Sequence, residues 1–245
     1  MNPPGTISPV GAWLDQDFIS VAGPEAESFL HGQVSQDIQA LAPMAGALSL
    51  VLSPQGKVDA IVRVIRVDVE QFVILVDQPF GQAVIERLSR FRLRTKVTIE
   101  PLSQWRALAV RGPLVDQEPG SDRWAQRLGA QLVVSDSWGG SIGIIAVGPA
   151  LDVGSELEIL TRQVWEHLRI EGGRVRFGID VLPGAIPAET GLLERAVSFT
   201  KGCYTGQELV ARMDSRGNRT PRRLCRFVAS AEAGEREGFV GGHGL

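Results

Sequence analysis

The sequence predicts an α+β fold, and three observations carry that prediction. Short runs with strand-like alternation dominate the first half, bounded by Gly, Pro and Asp turns. Separate stretches repeat their apolar residues at helical spacing. No internal repeat or low-complexity linker divides the 245 residues, so strands and helices interleave in one unit with antiparallel sheets and packed helices.

Taken in order, Trp13 to Val21 reads as a strand. Pro24 to Ile38 reads as a helix, with Pro24 near its start and Phe29, Leu30, Val34 and Ile38 on one face. Ala47 to Leu52 and Val58 to Val67 form a hairpin across Ser53-Pro54-Gln55-Gly56, where Pro at the second position and Gly at the fourth suit a type I turn. Asp68 to Gln71 reverses the chain into a strand from Phe72 to Val76. Phe80 to Phe91 is a second amphipathic helix carrying Val84, Ile85, Leu88 and Phe91.

Strands at Trp105 to Val110, Leu132 to Ser135 and Ile142 to Val147 follow, with a helix around Trp124 to Leu128 and a turn at Trp138-Gly139-Gly140. A helix from about Thr161 to Ile170 delivers Glu171 to its C-terminal end, where Gly172 and Gly173 stop it. Residues 1–220 thus read as one α+β unit. Residues 221–245 hold one strand, containing Cys225, and a polar tail expected to be poorly ordered beyond about residue 230.

Composition excludes several classes of function. The 25 basic and 28 acidic residues leave a net charge of -3, which gives no general reason to bind a nucleic-acid backbone, and no direct nucleic-acid contact is expected. The cluster Arg212, Arg216, Arg219, Arg222 and Arg223 reads as solvated surface. Met1 to Gly5 lacks the features of a secretory signal and no apolar run reaches the length of a membrane span, so a cytoplasmic location away from membranes is expected. Two cysteines, Cys203 and Cys225, are too few for a zinc framework or an iron–sulfur site. His31, His167 and His243 are scattered, so no metal is predicted.

Lys201-Gly202-Cys203-Tyr204-Thr205-Gly206-Gln207-Glu208 is the most informative stretch. Thr205 and Glu208 have capping-box spacing, so a helix predicted to start there would bring its positive end near Cys203, and Lys201 adds a full charge. Both favour a thiolate. A cysteine packed in a Gly-rich turn fits the same residues, since free Cys is among the most buried residue types.

This segment resembles the signature of the YgfZ-type folate-binding proteins, relatives of the glycine cleavage T-protein that support iron–sulfur enzymes. Leu168-Arg169-Ile170-Glu171-Gly172-Gly173, Phe177-Gly178-Ile179-Asp180 and Ile186-Pro187-Ala188-Glu189-Thr190-Gly191-Leu192 are similar to runs shared across that superfamily. So are Phe29-Leu30-His31-Gly32-Gln33-Val34-Ser35-Gln36-Asp37 and Ser53-Pro54-Gln55-Gly56-Lys57-Val58. The resemblance implies a T-protein-like fold whose C-terminal β-barrel is largely missing, residues 221–245 holding little more than its first strand.

It also implies a cofactor, tetrahydrofolate or a one-carbon derivative. Glu171 resembles the superfamily's pteridine-binding glutamate, and Glu189 either joins it or holds the loop shape. Arg169 and Lys201 would neutralise a carboxylate or the ligand. Asp59-Ala60 stands where the T-protein relatives carry paired aspartates, one of which assists aminomethyl transfer. Three functional readings stay open: an accessory factor for iron–sulfur client enzymes or assembly proteins, including tRNA-modifying enzymes, with Cys203 as its working thiol; a tetrahydrofolate-dependent aminomethyltransferase; and a non-catalytic folate-binding scaffold.

Overall fold

The computed structural model describes residues 9–112, 125–139, 142–155, 157–215 and 222–227, the single positions 123, 217 and 220, and the backbone of 238–243. Of the predicted elements, the single residues Trp124 and Gly140, and most of the tail beyond residue 230, lie outside these residues.

The chain runs β1 (Val10–Leu14), β2 (Gln16–Ala22), α1 (Ala26–Gln33), β3 (Ala45–Leu52), β4 (Val58–Asp68), β5 (Gln71–Asp77), α2 (Gly81–Arg90) and β6 (Thr98–Pro101). It continues through β7 (Arg106–Arg111), β8 (Ala125–Leu128), β9 (Gln131–Ser135), β10 (Gly143–Gly148), β11 (Glu158–Ile159) and α3 (Arg162–Glu171). A 3-10 turn (Pro187–Thr190), α4 (Leu193–Ala196), α5 (Gln207–Ser215), β12 (Arg222–Phe227) and β13 (Gly238–His243) complete it. An antiparallel sheet of five strands runs β3-β4-β5-β2-β6. A six-stranded sheet runs β11-β1-β7-β10-β9-β8, parallel only between β1 and β11. β12 and β13 form a separate two-stranded ribbon.

Strand alternation explains how the layers stack. On β5, Phe72, Ile74 and Val76 join the helices' apolar faces, meeting Leu30 of α1 and Val84 and Leu88 of α2. The intervening Val73 and Leu75 point the other way and pack with Ala107, Val134 and Ile145 of the second sheet. The five-stranded sheet is therefore buried on both faces, which is why β4 and β5 read as nearly continuous apolar runs. No helix among the described residues is long and apolar enough to cross a membrane.

Three predicted elements are corrected. The strand Trp13–Val21 breaks at Asp15 into β1 and β2, which lie in different sheets, because the chain crosses there from one layer to the other. The helix placed around residues 124–128 is strand β8: Gly129, at φ +60, turns the chain so that Ala125 pairs with Val134 and Leu128 with Gln131. α1 stops at Gln33, since Val34 is extended and bridges to Val51. The α3 prediction agrees closely, with Thr161 accepting from Val164 N at its N-terminus and Gly173 at φ +70 beyond its C-terminus.

Candidate functional site

Charged residues interrupt the apolar stripe between the two sheets at one end. Arg63 shares the strand face of Ile65, Asp77 that of Leu75, Arg111 that of Ala109 and Asp136 that of Val134, so alternation sends all four inward. Asp136 is the hub. It accepts from Arg63 Nη2 at 3.1 Å, Arg111 Nη2 at 2.7 Å, Arg174 Nε at 3.0 Å and Trp138 Nε1 at 3.2 Å. Burial alone would raise its carboxyl, but Arg174, Arg63 and Arg111 override that and hold it well below the usual carboxylate range. Arg111 lies 3.8 Å above the Trp138 ring, and burial lowers its guanidinium to about 10. Gly143 makes room for it, as a Cβ there would meet the guanidinium.

A cleft opens beside this hub, floored by Asp77, Arg63 and Asp136 and walled by Leu48, Val62 and Trp138, with Arg174 and Arg195 also lining it. The cleft has an accessible volume of about 70 Å³, and the void reaches about 620 Å³ with the open mouth included. A planar ring would have to enter through that mouth. Asp77 accepts from Phe177 N at 2.8 Å and from Gln16 Nε2, which occupies about two of a carboxylate's four acceptor directions. Burial raises its carboxyl above the ordinary value, and Arg174, the Phe177 N–H, Arg176 and Gln16 oppose the shift.

The cysteine segment builds a second feature, at the C-terminal end of α1. Lys201 is buried, and its Nζ donates to the backbone oxygens of Val34 and Gln36, each at 2.9 Å, and of His31. This meets the orphan carbonyls and negative end of α1 with a full positive charge. Burial lowers the ammonium to about 8, with Asp37 opposing. Two turns interlock beneath it. A Cβ on Gly206 would lie 2.6 Å from Ser53 O, and one on Gly56 would lie 2.4 Å from Leu209 Cβ, so only glycine lets the backbones approach. Both have positive φ, +81 and +79.

The thiol environment therefore differs from the sequence expectation. α5 starts at Gln207, so the Thr205–Glu208 box does not form, and Glu208 instead accepts from Arg212 at 2.6 Å. The dipole acts mainly at the first helical turn, and Cys203 lies beyond it. Lys201 directs its ammonium at α1. Cys203 and Cys225 are both exposed.

The other predicted site residues are spread around the cleft and do not line it. Glu171 ends α3 with its side chain 49% exposed, 3.7 Å from His167 Nε2. Glu189 accepts from Ile186 N at 3.0 Å and so holds the 3-10 turn. Arg169 is buried and bonded to Glu166, Asp180 and Arg174 O, which fixes the loop after α3. Asp59 lies 3.5 Å from Arg87 Nε, and burial raises its carboxyl against Arg87 and Arg90. Sequence reasoning missed Asp77, Asp136, Arg63 and Arg174. The signal for the first three was a charge at an inward position of an apolar strand.

No family model matches the sequence. An uncharacterized protein of Haemophilus influenzae is 29% identical over 213 residues, which cover 81% of this chain and 66% of that protein. The human mitochondrial iron–sulfur cluster assembly factor IBA57 is 31% identical over 241 residues, covering 88% of this chain and 67% of IBA57. The chain belongs to the YgfZ/IBA57 family. A second YgfZ/IBA57 relative, the tRNA-modifying protein YgfZ of Escherichia coli, is 26% identical over 251 residues, 95% of this chain and 76% of YgfZ. The chain thus spans about two thirds of the length of the first two relatives. The glycine cleavage aminomethyltransferase T of Bartonella henselae superposes with a TM-score of 0.78 at 17% identity, over 90% of this chain and 66% of the enzyme. This YgfZ/IBA57-family chain therefore has the aminomethyltransferase T fold.

Proposed function

We propose that the chain binds a tetrahydrofolate in the cleft between its sheets and serves, in the cytoplasm, the assembly or repair of iron–sulfur clusters in client enzymes, including enzymes that modify tRNA. The observation that carries the folate part is Asp77, a half-buried carboxylate with unused acceptor capacity at the floor of a cleft with apolar walls. The amino and ring N–H edge of a pteridine calls for such a group, and burial sharpens the pairing. Trp138 and Leu48 offer the ring apolar contact, while Arg174 and Arg195 offer positive charge to the anionic tail. Bound folate would supply a carrier for a one-carbon unit.

The similarity to IBA57 and YgfZ supports the iron–sulfur and tRNA-modification part. Within it Cys203 is the working thiol, exposed on a segment that Lys201 and the interlocked glycines hold in place. The aminomethyltransferase reading is weaker here: Ala60 is buried in the core and Asp59 stands outside the cleft beside Arg87.

Calorimetry with 5-formyltetrahydrofolate tests the site. Asp77→Asn is expected to weaken binding by about tenfold or more, the loss typical of a charge-assisted hydrogen bond. Glu171→Ala, half exposed and off the cleft, is expected to change it less than about threefold. Unchanged affinity in Asp77→Asn would move the pteridine out of the cleft. For the thiol, a deletion strain complemented with Cys203→Ala is expected to lose iron–sulfur enzyme activity, and full rescue would leave the scaffold reading.

A further inference from the structure

The loop joining α2 to β6 carries Arg92, Arg94 and Lys96 in alternation, all exposed, on a chain whose net charge is -3. Leu93 stands at its tip with 84% of its surface in solvent. Such a loop would ordinarily be floppy, but backbone bonds hold both ends of this one. Phe91 N donates to Leu88 O, Arg92 N to Ser89 O and Thr95 N to Arg92 O, and the Glu25 carboxylate accepts from Lys96 N at 2.7 Å. Arg94 is held at φ +60, a left-handed conformation that side chains with a Cβ rarely adopt. Gly23 lets the loop lie against the β2–α1 turn, since a Cβ there would meet Lys96 O at 2.3 Å. None of this contributes to the cleft or to the Cys203 segment.

An open groove follows from that packing. One wall is Ala22, Gly23 and Pro24, and the other carries Arg92, Arg94 and Lys96. Of the nearby carboxylates, Glu25 accepts from Lys96 N and offsets part of the charge of the cationic wall, and Glu100 lies exposed further along β6. We propose that this groove is a docking site for an extended, acidic segment of a partner protein. An extended segment sends successive side chains to opposite sides, so alternating acidic and small apolar residues would meet the cationic and the neutral wall in register. Single-stranded nucleic acid needs aromatic faces for its bases. The loop's one aromatic residue, Phe91, already has the Arg87 guanidinium 4.1 Å over its ring.

Fluorescence anisotropy with a labelled dodecapeptide of alternating glutamate and alanine tests the proposal on the full chain. The comparison ligands are a peptide of alternating lysine and alanine, a single-stranded RNA of mixed sequence, and phosphatidylserine vesicles. The acidic peptide is expected to bind, to weaken as salt rises, and to lose about fivefold to tenfold in affinity in the double variant Arg94→Gly, Lys96→Ala. That variant keeps the loop's backbone bonds and relieves the left-handed residue, so an unchanged or raised thermal midpoint confirms that it folds. Failure of the parent chain to bind the peptide, equal binding by the variant, or tighter capture of the RNA or the vesicles would each overturn the assignment.

Discussion

Lys201 donates its ammonium proton to the backbone oxygen of Val34 at 2.9 Å, across 167 positions of sequence. That bond ties the cysteine segment to the end of α1, and Tyr204, buried beside it with its ring 4.9 Å from Nζ, closes the corner against the core. The lysine of the cysteine motif is therefore an architectural cation in this structure.

Replacing Lys201 with Met would leave the carbonyls of His31, Val34 and Gln36 without their donor. The expected loss is about 3 kcal/mol, between the value of one charge-assisted bond and that of a broken buried network. Urea unfolding would measure it. A loss below about 1 kcal/mol would show that water reaches these oxygens.

Gly206→Ala tests the interlocked turns. The new methyl would press on Ser53 O and Leu52 Cβ in a residue held at φ +81, so both sterics and backbone strain oppose it. An expected cost of about 2–4 kcal/mol follows from overpacking plus a left-handed non-glycine residue. Thermal unfolding of that variant, beside Gly217→Ala, whose Cβ meets nothing within 4 Å at a similar φ of +72, separates the two contributions.

The two carboxylates of the cleft respond to pH with opposite signs. Asp136 has a depressed folded pKa, so its contribution is present above the unfolded value near 4 and drains away as pH falls through the folded one. Asp136→Asn is expected to cost about 3–5 kcal/mol at neutral pH, because three guanidinium groups lose their counter-charge. Stability measured against pH should then fall less steeply in acid for the variant than for the parent. Parallel curves would sink the claim that Asp136 carries this part of the acid sensitivity.

Asp77 has a raised folded pKa, so the folded state takes up a proton before the unfolded one does, and stability falls as pH rises from the unfolded value through the folded one. At neutral pH the ionised group is a cost that the fold carries. Asp77→Asn is thus expected to raise the thermal midpoint while weakening folate binding, the trade-off usual at ligand sites. A lowered midpoint would mean that the bonds from Gln16 and Phe177 outweigh burial.

How much was legible in the sequence varied with the range of the interactions. The hairpin at Ser53–Gly56, helix α2 and the span of helix α3 depend on neighbours within a turn or two, and all three match the structure. β8 was misread because pairing with β9 overrode local helical spacing. The Thr205–Glu208 box was misread because Gly206 bends the chain at positive φ and delays the helix to Gln207. Glu171 and Cys203 were legible as motif residues, but neither lines the cleft.

By itself the sequence determined the α+β class, most element positions and the motifs that resemble the YgfZ-type proteins, since periodicity, turn chemistry and short motifs are written in adjacent residues. Tertiary structure alone decided that Asp136 gathers Arg63, Arg111 and Arg174, that Asp77 floors the cleft, and that Lys201 serves α1 rather than Cys203. The physical reason is that alternation says only that a strand residue faces inward. Which charges it meets there depends on how two sheets stack and on which strands pair across the chain.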